Sequence, residues 1–155
     1  MTFKLRDLVD KLPNLSASAL IDLSLALAAY PDMPLVTFVL THHDLLTVRH
    51  AVKLAISPAA WANFKETERM LVIHLHTRND SWWETLRNML RPVIETYERS
   101  EGTESDGSAF DTFYADAYRN YHAGIAASQT QYETELRAAL LLVLPAEIKS
   151  VGGSE

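Results

Sequence analysis

Residues 70–76 read MLVIHLH, and the reading of these seven residues decides the fold class. As a strand, Leu71, Ile73 and Leu75 face one way and Val72, His74 and His76 the other. As a helix, the same apolar residues spread around the cylinder. The sequence before them favours the helix. Ser57-Pro58 opens a helix well, with Ser as cap and Pro at the first helical position. Trp61, Phe64, Leu71 and Leu75 then share one helical stripe, with Glu68 falling inside it. A continuous element from Pro58 avoids a turnless junction at 70–76. The other strand-like run is LVTFVL at 35–40, β-branched and aromatic. The expected fold is all-α, mainly a helical bundle. The alternative is α+β, with short strands at 35–40 and 70–76 paired.

Working outward, Ser81 and Glu84 form a capping box. Beyond it, Trp82, Trp83, Leu86, Met89, Leu90, Val93, Ile94 and Tyr97 fall on one arc of about 140°. Arg87, Arg91, Glu95, Glu98 and Arg99 lie opposite, and Pro92 should bend the helix on that polar side. Residues 100–109 (SEGTESDGSA) have the composition of a flexible acidic linker. After it, residues 110–144 read as one long helix, or as a hairpin broken near Gly124–Ser128, where Ser128 and Gln131 could make a new cap. Pro145 ends this segment, and 149–155 should be a frayed tail.

Towards the N-terminus, residues 4–12 suggest a short amphipathic helix stopped by Pro13. Residues 17–29 (ASALIDLSLALAA) are helical by propensity and apolar nearly all round, which points to a central, buried helix. Thr41 with Asp44 resembles a capping box opening a helix that runs to about Ile56. The expected organisation is a compact helical domain over 1–99, the linker, and a long helix or helical hairpin over 110–148.

Composition narrows the functional classes. The chain has 155 residues, no cysteine and a net charge of −6. Disulfides, thiolate metal sites and cysteine nucleophiles are excluded. With no signal peptide and no apolar run long enough to span a membrane, the expected location is the cytoplasm. Residues 1–77 balance seven bases against seven acids, whereas 78–155 carry seven bases and thirteen acids. The densest stretch, Glu95 to Asp116, has seven acids and one base, Arg99. Such a patch repels nucleic acid and anionic membranes and could mimic a phosphate backbone. One alternative function is therefore an acidic, nucleic-acid-mimicking inhibitor.

Catalytic signatures are sparse. There is no GxSxG elbow, no glycine-rich phosphate loop and no HExxH, and no cofactor or small-molecule substrate is evident. His74 and His76, with Asp80, would chelate a metal only if 70–76 is a strand. That set carries the second alternative, a small metal-dependent or acid–base enzyme.

Aromatic residues carry the preferred reading. Phe110, Phe113, Tyr114, Tyr118 and Tyr121 put five aromatics into twelve residues, with Ile125 extending the stripe. Tyrosine is favoured where one end of the side chain stays wet. Trp83, at the edge of the preceding apolar arc, is the tryptophan placed to reach a partner. The expected function is a non-enzymatic protein-interaction module (adaptor, inhibitor or assembly factor), oligomeric through this aromatic face. Its partner would be another protein or a second copy, with no direct nucleic-acid or membrane binding.

Overall fold

A computed structural model describes residues 2–99 and 107–149. The fold is all-α: a 3₁₀ helix (Leu5–Asn14) followed by α1 (Ala17–Ala29), α2 (Leu35–Thr41), α3 (Leu45–Ala55), α4 (Pro58–Arg99), α5 (Gly107–Val143) and α6 (Ala146–Lys149). Among the described residues there is no strand, only a single antiparallel bridge between Lys4 and Pro34. The α+β alternative is thereby corrected at both stretches. Residues 35–40 lie in α2, and 70–76 lie inside the 42-residue α4. A strand needs a neighbour to take its backbone groups, whereas a helix satisfies them within the segment. Leu35, Val36, Phe38 and Val39 are all buried in α2, so their apolar character reports burial and not extension.

The chain divides into two compact units, Met1–Met70 with Glu133–Glu155, and Leu71–Tyr132. α4 and α5 each contribute to both units. Residues 100–106 of the expected linker lie outside the described residues, and 107–109 open α5. Of the expected tail, only Lys149 is described.

In the first unit, the N-terminal segment is a 3₁₀ helix that includes Pro13, not an α-helix ending before it. With three residues per turn, Leu5 and Leu8 align on one edge, and both are fully buried. Its start is stitched to the α1–α2 turn, where Leu5 N–H donates to Met33 O and Leu35 N–H to Phe3 O, at 3.0 and 2.9 Å. α1 spans the expected residues and is capped by Ser16, whose Oγ accepts from Ala19 N–H. It is not buried all round. Ala19, Leu23, Ala26 and Leu27 face the core, while Ile21 and Leu25 are exposed.

The α2–α3 junction also departs from expectation. Thr41 ends α2, its hydroxyl donating to Thr37 O, and Asp44 caps α3. Asp44 Oδ1 accepts from Leu46 N–H at 3.0 Å and Oδ2 from the Thr47 hydroxyl at 2.8 Å. α3 packs against the 3₁₀ helix, α1 and α2, so Val48, Ala51 and Val52 are fully buried. Arg137 of α5 closes the end of α2: its guanidinium donates to Val39 O at 2.7 Å and His42 O at 2.6 Å. These are carbonyls that a helix C-terminus leaves without intrahelical donors.

Glu68, the polar intruder in the α4 stripe, is paired. It accepts two bonds from Arg49 of α3, at 2.6 and 2.8 Å. The same guanidinium lies 4.8 Å from the Trp61 ring centroid, adding a cation–π contact.

In the second unit, Arg78 approaches Ser128, Trp82 approaches Gly124 and Trp83 approaches Tyr121. Residue numbers rise on α4 as they fall on α5, so the two segments are antiparallel. Leu86, Leu90 and Ala117 form the buried centre, with Met89, Phe113, Tyr118 and Tyr121 packed around it. α5 is one helix of 37 residues, unbroken across 124–128. Ser128 does not start a new helix; it is 2 % exposed and inside. Gly124 is not a breaker either, because α4 covers it.

Candidate protein-interaction surface

The stripe foreseen on α5 is divided by its packing. Phe113, Tyr118 and Tyr121 lean on the Leu86–Leu90–Ala117 centre and are half-buried. Ile125 is half-buried too, and the side chain of Phe110 lies outside the described residues. Tyr114 is 41 % exposed and Trp83 48 %. These rings form a chain of contacts. Trp83 meets Tyr121 edge-on at 5.9 Å between centroids, Tyr121 meets Tyr118 at 6.4 Å, and Tyr118 meets Tyr114 at 4.6 Å. A hydrogen bond between the Tyr114 and Tyr118 hydroxyls raises the Tyr114 pKa above its ordinary value.

Beside this chain runs a groove of about 390 Å³. Leu86 and Leu90 lie at its base, and Trp83 and Ile94 of α4 and Tyr118 of α5 line it. Arg87, Arg91 and Glu95 complete the lining on the α4 side. The sequence placed these three opposite the apolar arc and so missed them as part of the surface. A helical wheel treats the arc and the polar face as separate, but at Trp83 and Ile94 the arc runs out into solvent and meets the charges. Trp82, placed on the same apolar arc by its spacing, is 38 % exposed, with its indole packed on Gly124.

A second groove, of about 280 Å³, lies in the first unit and contains Asp22, Tyr30, His42, His43 and Asp44. His42 stacks on Phe38 at 4.4 Å and sits 4.7 Å from His43. Burial pushes the His42 pKa down, His43 and Arg137 push it further, and Asp44 opposes them. Both Asp44 oxygens are committed to Leu46 and Thr47, and the Thr47 hydroxyl holds its pKa below the carboxylate norm. A carboxylate so engaged is a poor base and a poor ligand.

His74, His76 and Asp80 are all exposed on α4. Helical geometry turns the two histidines about 160° apart, which removes the chelating arrangement a strand would have provided. Among the described residues no three His, Asp or Glu side chains are grouped to hold a metal ion, and no helix is long and apolar enough to cross a membrane. Of the acidic stretch, Glu101, Glu104 and Asp106 lie outside the described residues, and Asp116 is paired with Arg119 at 2.7 Å.

No family model, curated protein or solved structure matches this chain.

Proposed function

We propose that the protein is a non-enzymatic interaction module, an adaptor, inhibitor or assembly factor, whose contact surface is the groove between α4 and α5 in the second unit. The observation that carries this reading is Trp83. A tryptophan left 48 % exposed keeps a large apolar area in water, and it adjoins a groove floored by leucines and edged by charge. An apolar centre with a polar rim, anchored by Trp and Tyr, is the composition of a protein interface. Covering the exposed half of one such ring is worth on the order of 2 kcal/mol before ordering costs.

The test uses residues whose loss spares the core. Tyr118 and Tyr121 support Leu86 and Leu90, so a variant lacking them would confound binding with folding. Trp83→Ala with Tyr114→Ser removes exposed rings instead. Native mass and affinity capture from lysate should show lost self-association or a lost partner, with far-UV circular dichroism unchanged. A variant that keeps the mass and every captured protein of the wild type sinks the reading.

A further inference from the structure

The first unit leaves an apolar helix face open beside a groove without a cation. On α1, Ile21, Leu25, Ala29 and Asp22 fall within about 100° of arc. Ile21 is 60 % exposed and Leu25 66 %, and Ala29 is exposed too. Asp22, Leu25 and Ala29 also line the groove of about 280 Å³ that holds His42 and His43, so face and groove form one surface. No Lys or Arg lines it among the described residues, and residues 12–48, which supply the whole lining, contain none. Asp22 makes no ion pair or hydrogen bond among the described residues. Asp44 adds a second negative charge, with its oxygens bonded to Leu46 and Thr47. The nearby cations are engaged elsewhere: Arg137 donates to Val39 O and His42 O, and Arg49 pairs with Glu68.

We infer that this surface docks a cationic segment of another protein, one that presents an arginine beside an apolar side chain. The site lies in the first unit and is independent of the groove between α4 and α5. The arginine meets Asp22, whose carboxylate can take both arms of the guanidinium fork. Tyr30, 47 % exposed, offers its ring as a cation–π face. The apolar side chain covers Leu25 and Ile21 and leaves the charges at the rim. A groove of this volume is small for a free ligand and suits a side chain of a larger partner. An acidic helix or an anionic membrane would meet like charge at Asp22 and Asp44. Acid should turn the surface against its partner. Protonation of His42 and His43, and of His50, which feels Asp22 and Asp44 as well as Arg49 and Lys53, adds positive charge around the two carboxylates.

The probe is a fluorescent helical peptide with leucine and arginine on one face, titrated into the full chain. Anisotropy gives Kd, and amide chemical shifts give the location, expected at Ala26, Tyr30 and His43. Asp22→Asn and Leu25→Ser should each raise Kd about fivefold or more. Asp10→Asn, which removes an exposed acid of the 3₁₀ helix, should leave it within about twofold. Kd should rise between about pH 7.5 and 5.5, and rise less in His42→Gln/His43→Gln, with circular dichroism showing the fold intact throughout. The same peptide with glutamate for arginine should not bind. Equal effects of Asp22→Asn and Asp10→Asn would reduce the binding to net charge and overturn the inference, as would no binding by the wild type. Arginine methyl ester binding as tightly as the peptide would make the groove a small-cation site, and self-association abolished by Asp22→Asn would make the occupant a second copy; either overturns it. Binding lost with Trp83→Ala but kept with Asp22→Asn also overturns it, and leaves the interaction-module reading of the α4–α5 groove standing.

Discussion

The indole of Trp82 packs directly on the backbone of Gly124. A Cβ added at 124 would overlap ring atoms Cδ2 and Cε2 and come within 2.7 Å of Cε3. This contact lets α4 and α5 approach closely in the second unit, and it explains why a glycine sits in the middle of a 37-residue helix.

Gly124→Ala should therefore destabilise the protein. In an open helix this change gains about 1 kcal/mol. Here the methyl must displace a ring, and overpacking of that kind costs about 1–3 kcal/mol. In a Trp82→Ala background the sign should reverse, with alanine at 124 stabilising by about 0.5–1 kcal/mol. Urea unfolding of the four proteins measures the coupling. Additive effects would show that the two residues do not constrain each other.

Arg137 holds the end of α2 with a fork that lysine cannot copy. Arg137→Ala removes the donors to Val39 O and His42 O and should cost about 2–3 kcal/mol. Arg137→Lys should recover at most half of that, since one ammonium cannot reproduce two bonds fixed in a plane. Equal stability of the lysine variant and wild type would mean the planar geometry contributes nothing.

Stability should fall with mild acid. Burial lowers the pKa of His42, with His43 and Arg137 adding to it. Burial also lowers that of His50, with Arg49 and Lys53 adding while Asp22 and Asp44 oppose. Unfolded, both imidazoles take up protons near pH ~6.5; folded, they do so only at lower pH. The unfolded state then binds more protons in that window, so stability is full above about pH 6.5 and declines below it. Asp44, also lowered, acts in the same direction below about pH 4. The Tm should drop between about pH 7.5 and 5.5, and a His42→Gln/His50→Gln variant should show a flatter profile. An identical slope in that variant would assign the effect to other groups.

Ser128 carries a buried hydroxyl with no hydrogen-bond partner among the described residues, while its carbonyl accepts from Arg78 at 3.4 Å. Ser128→Ala removes the unsatisfied oxygen, keeps the carbonyl and improves helix propensity. It should leave stability unchanged or raise it by up to about 1 kcal/mol. A fall in Tm by differential scanning calorimetry would show that the hydroxyl is satisfied in solution.

Local signals in the sequence were enough to establish that the protein is helical and where several helices begin. Ser57-Pro58 acts on the first turn of its own helix and needs no distant residue, whereas the Ser81–Glu84 box opens nothing, because α4 runs straight through it. The continuity from Pro58 through 70–76 was legible for the same reason: no turn residue interrupts it. What lay beyond the sequence depended on partners far along the chain. The run at 35–40 is β-branched and aromatic, and only its burial among other helices, with Arg137 closing its end from nearly a hundred residues away, makes it α2. Thr41 and Asp44 could each cap a helix, and the choice was made where the chain had to turn between α2 and α3. Gly124 and Ser128 looked like a break; Trp82, forty-two positions earlier, covers the glycine and keeps α5 whole. The proposed interaction surface divides in the same way. Its aromatic residues could be named from composition and period. That Arg87, Arg91 and Glu95 line the groove became visible only once α5 had covered one side of α4 and left the other open, because exposure belongs to the packed fold and not to any single helix.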